Sequence, residues 1–194
     1  MAWESLWTHP KVGSLVLSHY HPALPAAQRS REPHPAIILA VDRRIKPPMV
    51  VLAYGTSQRV DSPKAYEVAI TPPVSDRRGL NKPTKFDLTN VSVVSFTSEL
   101  VLRAGSGPYV LGQFSHSDRM LFVGAYVAAE LALGATPIPD KFPQTDRFIG
   151  AVDVALFKAA AKRDAEVGLD ESARGESPAL AEQTVAPRQA SGEG

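Results

Sequence analysis

The sequence predicts a mainly β fold, a small and strongly bent antiparallel barrel, followed by two helices at the C-terminal side. Short apolar runs at residues 13–19, 36–41 and 50–54 are separated by polar or proline-rich turns, a pattern typical of buried strands. Parallel strands need a crossover of about a dozen residues, usually a helix, and no helical pattern fits between these runs. The sheet is therefore expected to be antiparallel, and a sustained helical pattern begins only near Ser115.

The barrel domain is expected to span residues 1–104. Residues 13–19 form its first strand, and a proline-rich loop follows. Residues 36–41 and 50–54 are expected to be adjacent central strands, because they are rich in β-branched residues and leucine and carry no internal charge. The turn between them contains two arginines and two prolines.

Two further segments complete the predicted barrel. Residues 66–70 alternate in polarity and predict a half-exposed strand. Residues 86–88 and 91–96 predict one or two more strands, with a bulge or turn at Thr89 and Asn90.

A helical extension is expected over residues 105–167. Ser115, followed three residues later by Asp118, predicts a capped helix start, and Gly134 predicts its end. The apolar stripe of this helix is expected to be buried, against the barrel or against a second copy of the chain; it comprises Met120, Val123, Val127 and Leu131.

A second helix is expected to start at a Thr145 cap, after a proline-rich link. Its predicted apolar stripe comprises Phe148, Ile149, Val152, Leu156 and the alanines at 159 and 160. Residues 168–194 contain few large apolar side chains and cannot bury enough surface to offset the cost of ordering. We expect a disordered tail there.

Composition limits the classes of function. The chain has 194 residues, 21 basic against 20 acidic, and no cysteine, which excludes disulfides, a thiolate nucleophile and zinc bound through cysteine. Residues 28–103 contain twelve basic and seven acidic residues, whereas the C-terminal tail is acidic. A secretory signal is not apparent, and the longest apolar run is interrupted by Glu130. We expect a soluble cytoplasmic protein that is not in a membrane.

Three short sequence motifs bear on the function. His34-Pro-Ala-Ile-Ile-Leu-Ala-Val begins one predicted central strand, and Thr56-Ser57-Gln58 ends the next; a Gly79-Leu-Asn-Lys segment precedes a further strand. In the order of these motifs and in their amino-acid sequences, residues 12–96 resemble the MazF/PemK family of toxin ribonucleases.

The resemblance implies an SH3-like barrel of the MazF/PemK/CcdB type and an endoribonuclease that uses no metal or other cofactor. In such a reaction the ribose 2′-hydroxyl is the nucleophile, and the enzyme supplies a base, an acid and positive charge. The family's central arginine, which precedes the Pro-Ala strand, falls on His34. Thr56 matches the family's assisting threonine.

The replacement at position 34 leaves three explanations open. His34 can transfer protons itself, because imidazole titrates near neutrality. Arg31, three residues upstream, can reach the same phosphate. Alternatively, activity is weakened or lost and the barrel is retained for binding. Candidate substrate-binding residues are Ser57, Gln58, His19, His21, Arg77 and Arg78. Paired arginines such as Arg77 and Arg78 are, however, more often solvated loop charges than phosphate ligands, and Thr and Ser at a strand end, as at positions 56 and 57, are more often turn formers.

The resemblance also implies partners: single-stranded RNA, an antitoxin protein and a second copy of the chain in a homodimer. A non-catalytic alternative remains, in which the barrel is a binding or structural module of a phage or mobile element. A third possibility is an inhibitor that binds another protein through the barrel. The absent arginine and the additional C-terminal helices favour these non-catalytic interpretations.

Overall fold

A six-stranded antiparallel sheet forms the body of the protein. The computed structural model describes residues 7, 9–19, 33–71, 79–97, 101, 103–104 and 107–174. The strands are β1 (Ser14–Ser18), β2 (His34–Asp42), β3 (Met49–Thr56), β4 (Glu67–Ile70), β5 (Thr84–Ser95), β6 (Arg103–Ala104), β7 (Gly107–Pro108) and β8 (Val110–Gln113). The curled half-barrel sheet has the order β4-β5-β3-β2-β1-β8, and β6 and β7 form a separate short hairpin.

The predicted fold class is confirmed: the protein is mainly β, with two helices at its C-terminal side. β2 and β3 are adjacent and central, as the sequence predicts. The two segments expected around Thr89 are a single strand, β5. The predicted bulge is present within it: while β3 advances from Ala53 to Gly55, β5 advances from Val91 to Phe86, so its extra residues lie in the stretch that contains Thr89 and Asn90. β8 was not predicted; it pairs with β1 at one edge of the sheet.

The central strands are buried on both faces. Ile37 and Leu39 of β2 belong to one apolar core, whereas Ile38 belongs to a second core on the opposite face. A strand covered on both sides has no polar face, which explains the continuous apolar runs in the sequence. The first core is the larger, and the first C-terminal helix contributes to it.

Helix α1 (His116–Leu133) begins and ends where the sequence predicts. The Ser115 hydroxyl accepts a hydrogen bond from the Asp118 backbone N–H at 3.2 Å, and the Asp118 carboxylate accepts from the Ser115 N–H at 2.6 Å. This reciprocal arrangement satisfies two backbone donors at the start of the helix. Gly134 has φ 63°, a left-handed conformation that glycine adopts readily.

The predicted stripe of α1 is only partly buried against the sheet. Val123 is fully buried, but Met120 and Leu131 are 51% and 81% exposed, so the barrel does not cover these two, and their burial against a second copy stays a prediction. The buried face is instead centred on Phe122 and Tyr126. Edge-to-face contacts with Phe114 and Phe148 fix Phe122 in the first core.

Helix α2 (Ala151–Arg174) starts later than predicted. Thr145 lies in a short 3-10 helix (Gln144–Asp146), and the Gly150 N–H donates to the Asp153 carboxylate at 2.9 Å at the start of α2. Phe148 and Ile149 are buried before the helix begins. Val152 and Leu156 of the predicted stripe lie in the helix and are exposed.

The chain divides by its contacts into two units, residues 1–158 and residues 159–194. Of the second unit the structure describes the helix up to Arg174, which continues past the predicted boundary at Val167. Residues 175–194 of the predicted tail lie outside the described residues, and their disorder stays a prediction.

The turn between β2 and β3 is held by ion pairs. Arg43 pairs with Asp146 and donates to the Pro10 carbonyl at 2.8 Å. Arg44 binds both carboxylate oxygens of Asp42, at 2.9 and 2.8 Å. Arg44 therefore stabilises the turn through a contact within it, and Arg43 connects the turn to two segments of the first unit that are distant in the sequence.

Candidate functional site

The three strand ends that carry the predicted motif lie at the same end of the sheet. β2 begins at His34, β3 ends at Thr56, and β5 begins at Thr84. Because neighbouring strands are antiparallel, the start of one lies beside the end of the next. The register agrees: His34 is opposite Ser18 of β1, and Thr56 is opposite Lys85 of β5.

A cleft with a volume of about 490 Å³ opens at this end of the sheet. The residues that give it chemical character are His34, Thr56, Ser57, Gln58, Lys82 and Tyr109. Clefts of roughly 300–1,000 Å³ are the usual size for ligand sites. Four of the predicted site residues are therefore neighbours along one surface: His34, Thr56, Ser57 and Gln58.

Gly55, which lines the cleft, lies in close contact with the neighbouring strands. A Cβ atom at this position would lie 2.7 Å from the Thr84 side chain, 2.9 Å from Phe86 and 3.1 Å from Pro35. A larger residue would push β2 and β5 away from the end of β3. The glycine before Thr56 is thus explained by close packing below the site.

Thr56 has a structural contact as well as a place in the cleft. Its hydroxyl oxygen accepts a hydrogen bond from the Gln58 backbone N–H at 3.2 Å, the turn-forming role that the sequence left open. A hydroxyl that accepts one hydrogen bond can still donate its own hydrogen. The turn therefore fixes the position of Thr56 without using its donor.

A nearly buried ion pair lies beside Thr56. The Lys85 ammonium donates to both oxygens of Glu67 at 2.9 Å, and the two side chains are 11% and 7% exposed. Burial would raise the pKa of Glu67, but hydrogen bonds from the Lys64 backbone N–H and from Lys85 outweigh it, and the pKa lies below its ordinary value. Thr56 and Glu67 both line a smaller hollow of about 230 Å³ that adjoins the cleft.

Of the other predicted site residues, the structure describes only His19. His19 directly follows β1 and is not among the described residues that line the cleft. Arg31, His21, Arg77 and Arg78 lie outside the described residues, so their roles stay predictions.

Sequence reasoning missed Lys82 and Tyr109 as lining residues. Lys82 belongs to the Gly-Leu-Asn-Lys segment that the sequence singled out, so its place in the motif was a usable signal. Tyr109 directly precedes β8, an unpredicted strand. The sequence offers no signal that brings it to this site.

A second cleft, of about 340 Å³, lies where α1 faces the start of α2. Its most notable side chain is Arg147, which is buried and donates to the carbonyls of Phe142 at 2.8 Å and Pro139 at 3.3 Å. These contacts hold the turn before the 3-10 helix. We interpret Arg147 as a structural residue.

The comparisons with known proteins add no family. No protein-family model matches the chain, and no curated protein matches it significantly. Within the part of the chain that the structure describes, no helix is both long enough and apolar enough to cross a bilayer.

Proposed function

We propose that the protein is a divergent MazF/PemK-like ribonuclease that binds single-stranded RNA in the 490 Å³ cleft and cleaves it weakly without a metal ion. The observation that carries the proposal is the shared cleft. His34 belongs to one sequence motif and Thr56, Ser57 and Gln58 to another, and all four line one surface.

In the proposed reaction the ribose 2′-hydroxyl attacks the adjacent phosphorus, the 5′-oxygen leaves, and a 2′,3′-cyclic phosphate forms. His34 takes the proton from the 2′-hydroxyl while water protonates the leaving 5′-oxygen, or it donates a proton to the 5′-oxygen while water accepts the one from the 2′-hydroxyl. Thr56 donates a hydrogen bond to a phosphate oxygen. Lys82, an exposed cation of the cleft, offsets the developing negative charge.

Weak activity follows from the electrostatics. Lys85 is the cation directly opposite Thr56 in the sheet register, but its charge is neutralised by the bidentate contact with Glu67. A paired, nearly buried ammonium is a poor phosphate ligand, because releasing it would leave Glu67 as an unpaired buried charge. The same observation favours the second candidate function, a non-catalytic binding module of a phage or mobile element.

The proposal includes the partners that the resemblance implies: a second copy of the chain in a homodimer, and an antitoxin protein that inhibits the ribonuclease. Sedimentation of the purified protein tests the homodimer. Co-expression with the product of a neighbouring small reading frame tests the antitoxin.

Cleavage of a labelled single-stranded RNA tests the function directly. We expect slow cleavage in the presence of a chelator and products with 2′,3′-cyclic phosphate ends. His34→Ala is expected to lower the rate by roughly 10²–10⁴-fold, and Thr56→Val is also expected to lower it.

His9→Ala and Thr145→Val are the matched controls, because both residues are described and neither lines the cleft. Both are expected to cleave at the wild-type rate. Cleavage that a chelator abolishes and magnesium restores would contradict the mechanism. Binding of RNA without any cleavage would favour the non-catalytic alternative.

A further inference from the structure

One wall of the cleft comes from outside the segment that resembles the ribonuclease family. Tyr109 and Leu111 line the cleft, and both lie beyond residue 96, where the resemblance ends. They are carried by β8 and the residue before it, which extend the sheet next to β1. The Leu17 N–H donates to the Tyr109 carbonyl at 3.2 Å, and this bond fixes the backbone of Tyr109 at the edge of the sheet.

Gly79 packs closely against this wall of the cleft. Its φ is +72°, and a Cβ atom there would lie 2.0 Å from the Leu111 carbonyl oxygen. Residues with a side chain rarely adopt this φ and could not approach so closely. Gly79 is therefore packed directly against the β8 backbone at Leu111. Lys82, three residues further along the chain, lines the same cleft as Tyr109.

Tyr109 is 40% exposed and lines the cleft, which leaves it available to a ligand. Lys82 and the amides of Gln58 and Asn81 line the cleft with it. An aromatic ring combined with a cation suits a nucleotide, because the base stacks on the ring while the phosphate binds the cation.

We propose that Tyr109 is a stacking platform for one base of a single-stranded RNA bound in the cleft, and that Lys82 contacts the adjacent phosphate. This inference rests on the proposed function, because it concerns the same cleft and the same class of ligand. It adds a binding residue that the resemblance to the ribonuclease family does not supply. Stacking tolerates any base, so Tyr109 contributes affinity and positioning more than sequence preference.

The test measures binding of the full chain to a fluorescein-labelled single-stranded RNA and to an abasic oligonucleotide of equal length and charge. Tyr109→Ala is expected to weaken RNA binding by about 5- to 100-fold and to leave abasic binding unchanged. Tyr109→Phe and Tyr109→Trp, which keep an aromatic face, are expected to bind RNA like the wild type. Val110→Ala is the control, a neighbouring exposed residue that does not line the cleft.

Each other outcome overturns the inference in a recognisable way. Wild-type RNA binding that Tyr109→Ala leaves unchanged removes the stacking role while the proposed function stands. An equal loss of RNA and abasic binding in Tyr109→Ala means that Tyr109 acts on the backbone or on folding, which the Tyr109→Phe variant and circular dichroism separate. A wild type that does not bind RNA overturns this inference together with the proposed function.

Discussion

At the scale of single residues, charge decides what the cleft can do. Lys85 and Glu67 have opposite charges on the same side of neighbouring strands, and each oxygen of Glu67 lies 2.9 Å from the ammonium. Loss of one partner would leave the other buried and unpaired, which is strongly unfavourable. The pair is therefore structural and lines the smaller hollow beside the cleft, and Lys82, which is exposed and lines the cleft itself, is the lysine suited to contact a ligand.

Asp42 provides a residue-scale prediction for stability against pH. The side-chain hydrogen bonds from Arg44 lower the pKa of Asp42 from its ordinary 3.8 to about 2. A carboxylate whose pKa is lower in the folded state stabilises the fold above its unfolded pKa, and this stabilisation is lost as the pH falls through the folded pKa. We expect Asp42→Asn to be less stable than the wild type at neutral pH, and the difference to shrink between about pH 4 and pH 2.

Urea unfolding at a series of pH values measures this difference. Asp61→Asn is the control, because Asp61 is an exposed carboxylate in the loop after β3, and its difference from the wild type is expected to be small throughout. A difference between Asp42→Asn and the wild type that stays constant down to pH 2 would argue against the role of the Arg44 contact.

At the scale of secondary-structure elements, the ends of α1 were predictable and its orientation was not. The ends depend on local chemistry, Ser115 with Asp118 and then Gly134, which can be recognised in the sequence. The orientation depends on which of several apolar residues meets the sheet, and α1 has apolar residues around most of its circumference. The aromatic contacts of Phe122 decide it, and those partners are far away in sequence.

Ser115→Ala provides the element-scale prediction. The substitution removes the hydroxyl that accepts from the Asp118 N–H, and such losses typically cost about 1 kcal/mol of unfolding free energy. We expect a loss of this size in chemical denaturation, with the fold retained. Ser62→Ala, in an exposed loop, is the control and is expected to change stability little. Equal stability of Ser115→Ala and the wild type would contradict the capping role.

At the scale of the whole molecule, the predictable part of the site is the part built by neighbouring strands. His34 and Thr56 converge because an antiparallel pair of strands brings a start beside an end, and both strands were visible as apolar runs. Tyr109 reaches the site only because β8 pairs with β1, although the two strands are far apart in the sequence. Gln113, for example, pairs with Ser14. Pairing between such distant segments is set by the complete fold and leaves no local pattern in the sequence.

The last prediction concerns the growth of cells that express the protein, and it follows from the proposed role of His34. An arginine at this position would keep its charge at every relevant pH and offer several fixed donors to a phosphate, which a histidine does not. We therefore expect expression of the wild type to slow bacterial growth slightly, His34→Ala to be harmless, and His34→Arg to be the most toxic. His9→Arg makes the same exchange outside the cleft and should behave like the wild type. Growth curves after induction at equal protein levels measure the order. If all the variants are equally harmless, the toxin proposal fails, because even the family's arginine at position 34 would then confer no toxicity. The barrel would then be better explained as a binding module.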